Sequence, residues 1–161
     1  MNHPAPAFTL LLRVRYGECD AQHVVFNARY GDYADIAMNE FFRAVVGGYD
    51  QLLAAGLDTQ VVRLVTDFRS PARFDEVLAI TVETTSVGNT SFVLGMQVAQ
   101  YPSGRLVATT AATYVMVTAQ AHQKVGAGPP EALHLGAIPL DVNTLALQRE
   151  DGFDRGGLWC F

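Results

Sequence analysis

The chain is poor in the residues that announce several common chemistries. It has only two cysteines among 161 residues, Cys19 and Cys160, with no Cys-x-x-Cys pair and no histidine at ligand spacing from either. A disulfide framework and a zinc motif are thereby excluded as readings, no metal is expected, and a reducing cytoplasm is the compartment expected. Charged side chains amount to 17%, with acids in excess for a net charge of −5 and a pI near 5.2. An acidic chain has no general attraction to nucleic acid or to an anionic membrane, so neither is expected as a partner; a phosphorylated ligand would need locally placed cations. No apolar run approaches the roughly 20 residues that cross a bilayer. The short run from Phe8 to Leu12 lacks the basic start and small-residue cleavage pattern of a signal peptide, which favours a soluble protein. Gly-rich phosphate loops, a Ser nucleophile elbow and His-Glu-x-x-His are all missing.

What is present is apolar material, 50% of the chain, enough for the core of one compact domain. Phe8 to Val14 reads as a first strand, and Gly17 to Gln22 as the polar break after it. Asn27 is a candidate helix N-cap. Beyond it Tyr30, Tyr33, Ala34, Ala37, Phe41 and Val45 recur at helical spacing, and Ile36, Met38 and Phe42 widen the apolar surface, so this helix is expected to be largely buried. Gly47 and Gly48 end it, and Tyr49 to Ala55 has the length of one more short helix. After Gly56 the period changes from helical to alternating. Strands are expected at Gln60 to Arg69, Val77 to Thr85, Ser91 to Tyr101 and Arg105 to Thr118, the last apolar on both faces, with hairpin turns at Val87–Thr90 and Tyr101–Gly104. A long helix followed by an antiparallel meander implies an α+β layer fold, a sheet curled around a helix. Residues 1–125 would form this domain; residues 126–161, rich in Gly, Pro and Ala with no periodicity, read as a tail.

Asp20 is the residue that asks for an explanation. A carboxylate in a polar loop just before an apolar helix can accept a proton or attack a carbonyl, while open N–H groups at the helix start face an oxygen on which charge develops. Taken alone, a loop aspartate is more often a turn former. Around it, however, stand Val14-Arg15-Tyr16 leading into Glu18-Cys19-Asp20, then Val24-Val25 and Tyr30. Further on come Ser70-Pro71-Ala72-Arg73-Phe74 before a strand, and Val87-Gly88-Asn89-Thr90-Ser91-Phe92 at a hairpin. This succession, over residues 8 to 130, resembles the hotdog-fold acyl-CoA thioesterases, in particular the 4-hydroxybenzoyl-CoA thioesterase-like and YbgC-like branch.

The resemblance implies a curved antiparallel sheet of about five strands around one central helix, and hydrolysis of an acyl-CoA to a carboxylic acid and free CoA. It implies that Asp20 is the catalytic carboxylate and that the backbone amide of Asn27 polarises the thioester carbonyl, with no cofactor beyond the CoA of the substrate. It further implies a homodimer, often a homotetramer, with the site at a subunit interface. His23 departs from the glycine common in relatives. His23, Tyr30 and Arg73 are candidate substrate-binding residues, as is the Asn89-Thr90-Ser91 hairpin; Arg105 and Lys124 are weaker cation candidates. For each a bland reading stands beside the sharp one: a solvated histidine, a core aromatic, a surface cation. Asp32, Asp35 and Glu18 read best as helix-start or solvated loop acids. Two other hotdog readings stay open. An enoyl-thioester hydratase would use Asp20 with His23, although the Asp-x-Asn-Pro-x-His spacing is absent. A non-catalytic acyl-CoA-binding subunit is the other.

Overall fold

The computed structural model describes residues 8–123. The expected tail over 126–161, Lys124 and Cys160 lie outside these. Strand β1 (Phe8–Arg13) and a 3-10 turn (Tyr16–Glu18) precede the long helix α1 (Arg29–Val46) and the short helix α2 (Tyr49–Ala54). Strands β2 (Leu57–Phe68), β3 (Val77–Val87), β4 (Ser91–Tyr101) and β5 (Arg105–Thr118) follow. They form one five-stranded antiparallel sheet in the order β1-β3-β4-β5-β2.

The two periods of the sequence explain how sheet and helix meet. On α1, Tyr30, Tyr33, Ala34, Ala37, Met38, Phe41 and Phe42 are buried, as the helical spacing requires. Against this stripe the sheet presents alternate residues: Leu78, Ile80 and Val82 from β3, Phe92, Leu94 and Met96 from β4, and Ala112, Tyr114 and Met116 from β5. Phe92 stacks on Tyr114 at 5.1 Å and meets Phe42 edge-on at 6.0 Å. Full burial of a side chain of this size contributes about 2 kcal/mol, so these layers supply most of the driving force. Gly47, at φ 84°, takes the left-handed conformation that ends the helix, and Gly48 N–H donates to the Phe42 carbonyl at 3.3 Å.

Three expectations need correction. Asn27 is not the N-cap of α1. The capping position is Ala28, itself helical at φ −65° and ψ −22°, and no side chain caps the open amides. Strand β2 begins at Leu57, three residues before the expected Gln60, because Tyr49 hydroxyl donates to Asp58 and binds the strand's start to α2. The expected meander is cut short: β3, β4 and β5 follow one another, while β2 pairs with β5 at the far edge, and β5 is buried or half-buried along both faces from Leu106 on.

The helix lies across the inner face, with Phe42 against Phe92 of β4 and Tyr30 against Phe68 of β2. Edge strand β2 still has Val61, Val62, Leu64 and Phe68 about half exposed, and a register shift between Val61 and Arg63 breaks its ladder to β5. An apolar edge strand of this length with open backbone groups is a template for pairing.

Candidate active site

The segment between β1 and α1 is built from short-range hydrogen bonds. Val14 is buried and exchanges bonds with the loop before β3, donating to the Glu76 carbonyl at 2.9 Å and accepting from Asp75 N–H at 3.1 Å. The 3-10 turn then brings Glu18 inside. Its carboxylate, only 5% exposed, accepts from Arg15 N–H at 2.7 Å, from the Arg15 guanidinium at 2.8 and 2.5 Å, and from Tyr33 hydroxyl at 2.9 Å. Burial alone would raise the Glu18 pKa; the Arg15 amide and guanidinium with the Tyr33 hydroxyl outweigh it and hold the group below the usual carboxylate range. Burial, then the adjacent Glu18 charge, push the Tyr33 phenol up, so it stays a donor. Glu18 is therefore not the solvated loop acid that its neighbours in sequence suggest. The signal for it was Arg15 three residues before; the other partner, Tyr33, is fifteen residues away and only the fold supplies it.

From Glu18 the chain makes a miniature hairpin. Phe26 N–H donates to the Glu18 carbonyl at 2.9 Å, Asp20 N–H to the Val24 carbonyl at 2.9 Å, and Cys19 pairs with Val25. The tip closes with His23 N–H donating to the Asp20 carbonyl at 2.9 Å. His23 lies at φ 61°, in the left-handed region where glycine is at ease, and its side chain is exposed. This is the physical content of the departure from glycine at this position. The half-buried Asp20 accepts from Gln22 N–H through Oδ1 at 2.8 Å, and its Oδ2 has no partner among the described residues.

At the far end of the hairpin Asn27 enters the first helical turn, its carbonyl accepting from Tyr30 N–H at 3.3 Å. Its own N–H donates to nothing among the described residues. Val25 N–H goes to the Ala72 carbonyl at 2.9 Å and Phe26 N–H to the Glu18 carbonyl. Asp20, bonded to Val24, lies at the tip end of this small hairpin, and Asn27 follows its other arm at the open and electropositive start of α1.

The other candidates are distributed unevenly. Arg73 lies beside the hairpin, since Ala72 accepts from Val25; its side chain is exposed and has no partner among the described residues. Tyr30 is only 4% exposed, edge-on to Phe68 at 5.1 Å and Tyr33 at 5.7 Å, so most of its ring belongs to the core. Burial raises its pKa. Arg105 is engaged, donating to Ser70 Oγ, the Pro71 carbonyl and both oxygens of Glu76, which braces the 69–76 loop. Asn89, Thr90 and Ser91 sit where β3 turns into β4, at the far end from the Asp20 hairpin. Eleven-residue β3 separates the two ends by about 35 Å at roughly 3.3 Å per residue. One protomer does not bring them together with Asp20. On α1, Asp32 pairs with Arg29 at 2.9 Å and Asp35 accepts from Asn39, both exposed. Among the described residues no cluster of three or more His, Cys, Asp or Glu has the geometry to hold a metal, and no helix is long and apolar enough to cross a membrane. A concavity of about 390 Å³ lies on the opposite face of the sheet, over Gly95 and Ala111 and beside Asp67 and Glu83, away from the hairpin.

One long helix against a five-stranded sheet of this order is the hotdog fold, and solved structures carry the same architecture. A thioesterase-superfamily protein from Jannaschia sp. CCS1 aligns with a TM-score of 0.72 at 25% identity over 83% of this chain and 94% of its own. A 1,4-dihydroxy-2-naphthoyl-CoA thioesterase from Synechocystis aligns at 0.72 with 18% identity over 84% and 98%. The chain belongs to the thioesterase-like superfamily, whose model matches residues 14–134. Among curated proteins it is similar to the acyl-CoA thioester hydrolase YbgC of Escherichia coli O6:H1, 31% identical over 87 residues, which are 54% of this chain. The chain spans 65% of that relative's length.

Proposed function

We propose that this chain is an acyl-CoA thioesterase, with Asp20 as base or nucleophile and the Asn27 amide as oxyanion donor. The observation that carries the proposal is that one short hairpin and the helix start that follows it hold a carboxylate oxygen and a main-chain N–H that both lack protein partners among the described residues. Membership of the thioesterase-like superfamily and the likeness to an acyl-CoA thioester hydrolase support the same reading.

In this reaction the thioester oxygen accepts from Asn27 N–H as charge builds on it. Asp20 Oδ2 either takes a proton from the attacking water or adds to the carbonyl carbon itself. The C–S bond then breaks, the sulfur leaves as CoA thiolate and is protonated, and water supplies the oxygen of the acid. One oxyanion donor is worth about 3 kcal/mol of barrier in comparable sites. No cofactor is required beyond the CoA of the substrate, and the proposed compartment is the cytoplasm.

The proposed working unit is a homodimer at least, with a homotetramer as its multiple. Two β2 edges paired antiparallel about a two-fold axis would cover Val61, Val62 and Leu64, and would carry the partner's Asn89-Thr90-Ser91 end toward this protomer's Asp20 hairpin. His23, Arg73 and that hairpin would then contact the CoA arm, with Tyr30 beneath.

The test is thiol release from a panel of aryl and aliphatic acyl-CoAs by wild type, Asp20→Asn and Asn27→Ala. Wild type should turn over at least one member, Asp20→Asn should fall by about 10³-fold, and Asn27→Ala should stay within a few-fold because the main-chain donor persists. Equal rates in wild type and Asp20→Asn sink the assignment. Hydration of crotonyl-CoA without thiol release would make the chain a hydratase instead.

A further inference from the structure

Glu18 is neither of the two groups proposed to act on the thioester, yet it carries more hydrogen bonds than any other acid among the described residues. Its side chain is held from both directions, by Arg15 at the start of the 3-10 turn and by Tyr33 in α1. Its main chain holds the hairpin: the carbonyl accepts from Phe26 N–H, one residue before Asn27, and its own N–H donates to the Arg15 carbonyl at 3.1 Å. Two residues on comes Asp20. One residue thus joins the segment after β1, the helix and both arms of the hairpin.

We propose that Glu18 is the positioning residue of this site, setting Asp20 and the Asn27 N–H in register with each other through its buried carboxylate and its carbonyl. The inference rests on the thioesterase reading above and adds to it the part that aims the two groups. The physical reason is directional. Asn27 N–H is aimed by the bond its neighbour Phe26 makes, and that bond ends on the Glu18 carbonyl. The residue that bears this carbonyl is in turn held by its side chain, between Arg15 and Tyr33, and by its N–H on the Arg15 carbonyl. Loosening the clamp leaves the charge of Asp20 and the donor of Asn27 in place and spoils only their mutual aim. Misplacement of about 1 Å is enough to cost on the order of 10²-fold in rate.

A merely structural role for Glu18 would change how much protein folds and leave the kinetics of the folded fraction alone. A positioning role lowers kcat with KM unchanged, since substrate binding does not depend on the aim of the two groups. The test compares Tyr33→Phe, Glu18→Gln and Glu18→Ala with wild type and Asp20→Asn, on the acyl-CoA that wild type hydrolyses best. Rates are normalised to folded protein by circular dichroism. Tyr33→Phe deletes one hydroxyl from a ring that stays in place, so it keeps the test decisive even if Glu18→Ala is too unstable to assay. Expected are kcat losses of several-fold for Tyr33→Phe, about 10-fold for Glu18→Gln, which keeps an acceptor for Tyr33, and about 10²-fold for Glu18→Ala, each with KM within two-fold. The Asn27 amide resonance in a 15N–1H spectrum should move in Tyr33→Phe. If Asp20→Asn is dead but Tyr33→Phe and Glu18→Gln keep wild-type kcat, the positioning role is overturned and the thioesterase reading stands. If wild type releases no thiol from any acyl-CoA, the thioesterase reading fails and this inference with it.

Discussion

Two arginine–carboxylate pairs flank Val14, and they differ in almost everything except chemistry. Arg13 and Asp75 meet at 3.0 Å with both side chains largely in water, 62% and 65% exposed. Arg15 and Glu18 meet at 2.5 Å with the arginine side chain as open to water as Arg13's, at 74%, and only the carboxylate buried, at 6%. Strand alternation sets the first pair at the rim, while the 3-10 turn folds Glu18 back under the chain. In water a pair of this kind contributes little, because each partner is nearly as well served by solvent. Inside, the carboxylate has no such alternative, and each group that bonds to it is fixed in place. The lesson is that the ion pair is not the unit that matters; the number of neighbours that depend on it is.

That contrast can be tested by removal. Glu18→Ala strands Arg15 N–H and the Tyr33 hydroxyl, and should destabilise the fold by about 3 kcal/mol, read from urea midpoints. Acid should narrow the difference. The folded-state pKa of Glu18 is depressed, so its contribution is complete above the unfolded value near 4.3 and fades as pH falls through the lower folded value. Wild type and Glu18→Gln should therefore converge in stability as pH drops from 6 toward 3, and a constant gap would refute the assignment. His23→Gly relieves the left-handed residue at the hairpin tip and should raise stability by about 1 kcal/mol, or roughly 3 °C in Tm by calorimetry. Arg13→Ala should change the midpoint by less than about 0.5 kcal/mol. A loss from Arg13→Ala as large as that from Glu18→Ala would erase the distinction between the two pairs.

Periodicity made α1 and the inner faces of β3 and β4 readable in advance, because Tyr30 to Phe42 and Leu78 to Met96 bury their apolar members at the spacing of their own element. Where the reading slipped, a tertiary contact had overridden a local preference. Asn27 has the side chain of a cap, but the chain enters the helix through a turn already helical at Ala28, so the cap is never used. The start of β2 depends on Tyr49 reaching Asp58, a contact between elements. Asp20 is a candidate through its company in sequence alone. Glu18 is not visible there, because its decisive partner Tyr33 lies on the helix, and the distance between the Asp20 hairpin and Asn89–Ser91 emerges only once β3 is laid out between them.

The pairing of Asp20 with Val24 and of Glu18 with Phe26 carries a consequence for length rather than composition. Adding or deleting one residue between Asp20 and Phe26 would shift the hairpin register by one and turn the Phe26 N–H off the Glu18 carbonyl, whatever side chains were used. Substitutions such as His23 for glycine leave that register untouched. Across homologous chains the interval from the carboxylate to the amide should therefore hold its count while its letters drift, so that spacing, more than spelling, is what a search for this site ought to weigh.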